Sequence, residues 1–92
     1  MNRPDKDLGI IMVLIQRLEK YRLPRALKLK EKVDRGELLN KTDMSFMEGV
    51  MADAKKVQPL IDRNPKYQEL AERVTNLYRE ITEKALENEE NK

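Results

Sequence analysis

Hydrophobic residues recur at helical spacing along most of the chain, and no segment shows the strict alternation of a half-buried strand. Asp5 and Asp7 suit the start of a first helix, because acidic side chains stabilise helix N-termini. Short connectors favour antiparallel neighbours, so the pattern predicts an all-α fold, a small antiparallel bundle of three to four helices. The predicted helices cover about residues 5–21, 24–35, 44–63 and 65–86.

Prolines and glycines set the predicted boundaries. Leu23 should end the first helix, because a residue before proline avoids the helical region. Gly36 suits a left-handed cap of the second helix, and Thr42-Asp43 is typical of a helix start. Pro59 lies opposite an apolar stripe whose phase continues past it. We therefore expect the third helix to be kinked near Pro59 rather than ended there.

The length of 92 residues predicts one domain, which we place at residues 1–86. Residues 87–92 are polar and are expected to form a disordered tail. The longest apolar run, residues 8–15, is much shorter than the roughly 20 residues of a membrane-spanning helix. The interpretation is a cytoplasmic protein that does not insert into membranes.

The first helix has a wider apolar face than one small core requires. Leu8, Ile11, Ile15 and Leu18 form one seam, and a second seam beside it contains Ile10, Leu14 and Tyr21. With Met12 these residues cover an arc of about 200°. Either the helix is central and covered by its own chain, or the second seam faces a partner protein or a second copy.

Composition removes most routes to catalysis. The chain has no cysteine and no histidine, so thiolate chemistry and the commonest acid–base group and metal ligand are missing. The one serine, Ser45, lacks a nucleophile-elbow context, and the three glycines are isolated. We therefore expect no enzyme, no cofactor, no metal site and no small-molecule substrate. A carboxylate-only metal site is a weak further option.

A basic stripe marks the second helix. Arg25, Lys28, Lys32 and Arg35 project within an arc of about 80°. Residues 1–41 carry 11 Lys/Arg and 6 Asp/Glu, a net charge of +5, whereas the rest of the chain carries −3. The stripe could contact nucleic-acid phosphates or an acidic protein, or it could be a solvated face.

The leading hypothesis is a non-enzymatic helical protein–protein interaction module, regulatory or scaffolding, that forms a homodimer through Ile10, Leu14 and Tyr21. Symmetric dimers are the commonest way to bury such a surface. The alternative is a small nucleic-acid-binding accessory protein that uses the basic stripe.

Overall fold

The structure, a computed structural model, describes residues 3–92, with side chains from residue 6 onward. The side chain of Asp5, expected to support the first helix, lies outside the described part. The elements are α1 (Arg3–Arg17), a π-helical segment (Leu18–Arg22), α2 (Leu23–Asp34), α3 (Lys41–Arg63), a 3-10 turn (Pro65–Tyr67) and α4 (Gln68–Glu90). The all-α prediction is confirmed, since residues 3–92 contain no strand.

The predicted break before Pro24 is wrong, because α1, the π segment and α2 form one long helix. Leu23 is helical, with φ −64° and ψ −47°, and its N–H donates to the Leu18 carbonyl five residues earlier. A proline inside an α-helix lacks an N–H and crowds the carbonyl four residues before it. The wider π turn directly precedes Pro24, where that crowding would occur, so the chain continues as a helix. Residues 3–92 therefore form three long helices. The predicted break would have made four.

The third predicted helix starts earlier than residue 44, because Asn40 caps it. The Asn40 side chain accepts a hydrogen bond from the Asp43 N–H at 2.8 Å, and Asp43 accepts one from the Asn40 N–H at 3.1 Å. This reciprocal capping box satisfies two backbone donors that a helix start leaves free. The helix continues through Pro59, as the apolar phase predicts. A kink at Pro59 stays a prediction.

The last helix extends to Glu90, beyond the expected end at residue 86. Asn88 is buried, and its amide donates to the carbonyls of Val33 and Glu37 at 2.8 and 3.0 Å. These carbonyls lie where α2 ends, on either side of Gly36. Gly36 has a φ of 86°, which confirms the predicted left-handed cap. Residues 87–90 therefore belong to the folded part, and the expected tail is wrong for them.

Three pairs fix the direction of α3 against the long helix. Lys32 contacts Asp43, Arg22 contacts Asp53, and Asp7 contacts Arg63. From one pair to the next, the residue number on the long helix increases while the residue number on α3 decreases. Helix α3 therefore runs antiparallel to the long helix. The Asn88 bonds place the end of α4 beside the end of α2, so α4 returns parallel to the long helix.

The enclosed core lies at the α2 end of this elongated molecule, which measures 53 × 19 × 17 Å. Its buried members are Ala26, Leu29, Val33, Met47, Val50, Tyr78 and Ile81. Within residues 3–92, every helix falls short of the combined length and apolar character needed to cross a bilayer. The core holds α2, α3 and α4 together, and α1 extends beyond it.

Candidate functional site

A cleft of about 170 Å³ lies between α1, the π segment, α3 and α4. Its walls are mostly apolar and include Ile11, Ile15, Leu18, Val57, Ile61 and Val74. Ala54 of α3 and Ala71 of α4 also line it, opposite the larger side chains of α1. Such small residues leave the space between the helices unfilled, so this half of the molecule is open where the α2 half is packed.

The seam expected to be ordinary core mostly borders this cleft. Ile11 is buried, with 2% of its surface exposed, but it lies outside the core cluster. Leu8, Ile15 and Leu18 are only partly buried. The seam that was expected to form the core therefore faces a partly empty space.

The second seam is divided between the cleft and the surface. Leu14 is half-buried and lines the cleft, beside Ile11 and Ile15. Ile10 is 40% exposed and Tyr21 is 65% exposed. The other helices of the chain thus cover Leu14 in part and leave Ile10 and Tyr21 largely open.

An ion pair between the π segment and α3 supplies charge at the cleft. The Arg22 guanidinium donates to the Asp53 carboxylate, and both residues line the cleft. This hydrogen bond from Arg22 holds the pKa of Asp53 below its ordinary value of 3.8, although partial burial opposes the shift. The pair therefore stays charged at neutral pH.

Tyr78 lines the cleft and carries a buried polar atom. The residue is 6% exposed, and within the described part of the chain its hydroxyl is buried without a hydrogen-bond partner. Its ring packs against Phe46, with centroids 6.5 Å apart. Burial raises the pKa of Tyr78, and the nearby positive charge of Arg22 opposes that shift. The hydroxyl is therefore neutral at physiological pH and lies near Arg22.

The basic stripe is largely occupied by contacts within the chain. Lys32 donates to Asp43 at 2.7 Å, and Arg35 donates to Glu37 at 2.6 Å. Arg25 lies over the ring of Phe46, with 4.7 Å between its guanidinium carbon and the ring centroid. Lys28 is the stripe member that is exposed and has no ion pair within residues 3–92. Nucleic-acid binding by this stripe stays a prediction.

Acidic side chains are used for internal pairing. Asp7 and Asp43 are both buried and both accept hydrogen bonds from cations, Arg63 and Lys32. Burial by itself would raise the pKa of Asp43, but the Lys32 and Asn40 hydrogen bonds outweigh it and lower the pKa. In the described part of the chain, no three carboxylates come together as a metal site would require.

Sequence reasoning did not identify the polar groups of the cleft. Tyr78 appears in the pattern as one member of the apolar stripe of the last helix, and Arg22 as one of several cations. Nothing in the spacing pairs Arg22 with Asp53, because they are 31 positions apart. Only the packing of the helices brings these groups together. Comparison with known protein families, with curated proteins and with solved structures gives no match to this chain.

Proposed function

We propose that this protein is a non-enzymatic, cytoplasmic interaction module that pairs with a second copy of itself through the α1 surface, defined as Ile10, Leu14 and Tyr21. The observation that carries the proposal is the exposure of two large apolar side chains, 40% at Ile10 and 65% at Tyr21, on one long helix. Soluble monomers tend to avoid contiguous apolar patches of this kind.

Leu14 extends the exposed surface at Ile10 toward the cleft. It follows Ile10 by four positions, so both side chains lie on one side of α1. Its partial burial at the cleft leaves an apolar strip that runs from the surface to the cleft wall. A partner helix laid along this strip would bury Ile10 and the exposed part of Leu14 together.

A symmetric pairing makes a specific use of this strip. If two copies of the long helix pack antiparallel about an axis between residues 15 and 16, Ile10 of each copy lies opposite Tyr21 of the other. Leu14 then lies opposite Arg17, whose aliphatic stem can cover it while the charge stays in water. Such a contact is self-complementary, as a twofold interface requires.

Cysteine crosslinking tests the arrangement directly, because the natural chain has no cysteine. We expect a mixture of Ile10→Cys and Tyr21→Cys variants to form a mixed disulfide-linked dimer under mild oxidation. Each variant alone should crosslink weakly, since identical residues lie far apart in this pairing. Glu83→Cys, at an exposed position on α4, is the matched control. Crosslinking of either variant alone, with no mixed product, would contradict the proposed register.

Light scattering over a dilution series tests self-association itself. The wild type should show a dimer mass that falls on dilution, and Ile10→Glu should shift the mass toward the monomer. Met44→Glu, at a position on α3 that is 51% exposed, should leave the dimer intact. A monomeric wild type at every concentration would refute the proposal. Leu14→Glu is less informative, because it also puts a charge into the cleft.

A further inference from the structure

The cleft has the dimensions of a small-molecule site. An apolar cavity of about 150 Å³ is large enough to hold a molecule of the size of benzene, and this cleft measures about 170 Å³. Its apolar walls come from three helices, so a ligand would be enclosed from several sides. The exposed α1 surface, by contrast, is a strip of side chains that a second helix would cover.

The Tyr78 hydroxyl indicates what polar group such a ligand carries. A buried hydroxyl without a partner costs about 1–3 kcal/mol of stability, and native structures seldom keep one without a reason. Tyr78 and Arg22 both line the cleft, and the positive charge of Arg22 acts on the Tyr78 hydroxyl. Both groups can donate hydrogen bonds, and a guanidinium carries five N–H donors, more than one carboxylate uses. Two donors among the lining residues favour a ligand with an acceptor oxygen.

The Asp53 carboxylate decides the charge of the ligand. It is hydrogen-bonded to Arg22 and remains ionised, so the positive charge at this wall is already balanced. An anionic ligand would meet the Asp53 carboxylate as a like charge and would have to displace it from Arg22. A neutral acceptor can add to the existing ion pair.

We propose that the cleft binds a small, uncharged and mostly apolar molecule, of the size of a substituted benzene, that carries one hydrogen-bond-accepting oxygen. The apolar part lies against α1 and the alanines of α3 and α4. The oxygen accepts from the Tyr78 hydroxyl and from a free N–H of Arg22. The site shares Leu14 with the α1 surface, but its polar contacts come from Tyr78 and Arg22, which are not part of that surface.

Two matched probes test the acceptor. Acetophenone and α-methylstyrene have nearly the same shape, but only acetophenone has a carbonyl oxygen. In an NMR titration of labelled protein, we expect acetophenone to bind with a Kd on the order of 1 mM. The largest shifts should lie at cleft residues, and α-methylstyrene should bind about 3- to 10-fold more weakly, the value of one net hydrogen bond. Benzoate, which carries a negative charge, should also bind more weakly than acetophenone.

Variants assign the site. Tyr78→Phe should remove the preference for acetophenone over α-methylstyrene while both still bind. Ala71→Leu should fill the cleft and weaken both probes, whereas Ala52→Leu, at an exposed position on α3 away from the cleft, should not. Ile10→Glu should leave probe binding intact, which separates this site from the dimer surface.

Three results would overturn the inference: equal affinity for the two probes in the wild type, a carbonyl preference that survives Tyr78→Phe, or tighter binding of benzoate. If Ala71→Leu fails to fold, the Tyr78→Phe comparison still decides, since it removes one oxygen and keeps the ring.

Discussion

The carboxylate of Asp7 accepts two hydrogen bonds from the Arg63 guanidinium, from Nε at 2.7 Å and from Nη2 at 3.1 Å, although the residues are 56 positions apart. Asn64 adds a longer contact at 3.5 Å. The pair ties α1 to the last turn of α3, at the end of the molecule farthest from the core. Bidentate pairs of this kind have a fixed geometry as well as charge.

We predict that Asp7→Asn loosens α1 without unfolding the rest of the chain. The substitution keeps the size of the side chain but leaves Arg63 without its charged partner. In hydrogen exchange, amides of α1 should exchange faster, while those of α2 and α4 near Ile81 stay protected. Asp34→Asn, which affects an exposed i,i+4 pair with Lys30, should change neither region. Uniform loss of protection would show that α1 and the core unfold as one unit.

The capping box gives a second prediction. Asn40→Ala removes the acceptor for the Asp43 N–H and should lower the free energy of unfolding by about 0.5–2 kcal/mol. Urea denaturation followed by circular dichroism measures the difference. Asn40→Ser keeps a capping oxygen and should restore most of the loss. An unchanged midpoint for Asn40→Ala would mean that the start of α3 is held by its packing alone.

Asp43 should also give the protein part of its acid sensitivity. Its pKa is lower in the folded chain than the ordinary 3.8, because the Lys32 and Asn40 hydrogen bonds stabilise the carboxylate. The resulting stability is present above the ordinary value and is lost as the pH falls through the lowered one. Asp43→Asn should therefore flatten the dependence of the melting temperature on pH below about 4. A slope equal to that of the wild type would contradict this assignment.

A fourth prediction concerns the end of α4. Asn88→Leu removes two donors and leaves the Val33 and Glu37 carbonyls without them, so we expect a loss of about 1–3 kcal/mol. Thermal unfolding at fixed protein concentration measures it. Glu89→Leu, at the next and exposed position, is the control and should have a small effect. Equal effects at the two positions would show that the amide bonds are unimportant.

Tyr78→Phe should make the ligand-free protein more stable. The hydroxyl is buried without a partner in the described structure, so its removal relieves a desolvation cost and leaves the Phe46 contact in place. A raised melting temperature is the expected result. A lowered one would show that the hydroxyl has a stabilising partner in solution.

Periodicity was sufficient to predict an all-α fold, because apolar spacing along a helix is a local property. The wrong break at Pro24 has a local cause that the pattern does not contain, since a single π turn places the proline inside a continuous helix. The buried position of Asn88 depends on where α4 ends relative to α2, which spacing within one helix does not specify. The cleft could not be predicted from the sequence for the same reason, because it results from the relative placement of three helices.

The π segment sets the rotation of α1 about the helix axis relative to α2. The wide turn holds one residue more than an ordinary α-helical turn, and an uninterrupted α-helix of the same length would rotate α1 by about 100° relative to α2. A variant that lacks Lys20 would let the wide turn close to an ordinary α-helical turn, and α1 and α2 would keep nearly the same sides toward the cleft and the core. The five residues Leu18–Arg22 therefore determine which α1 side chains face the cleft and which face the solvent.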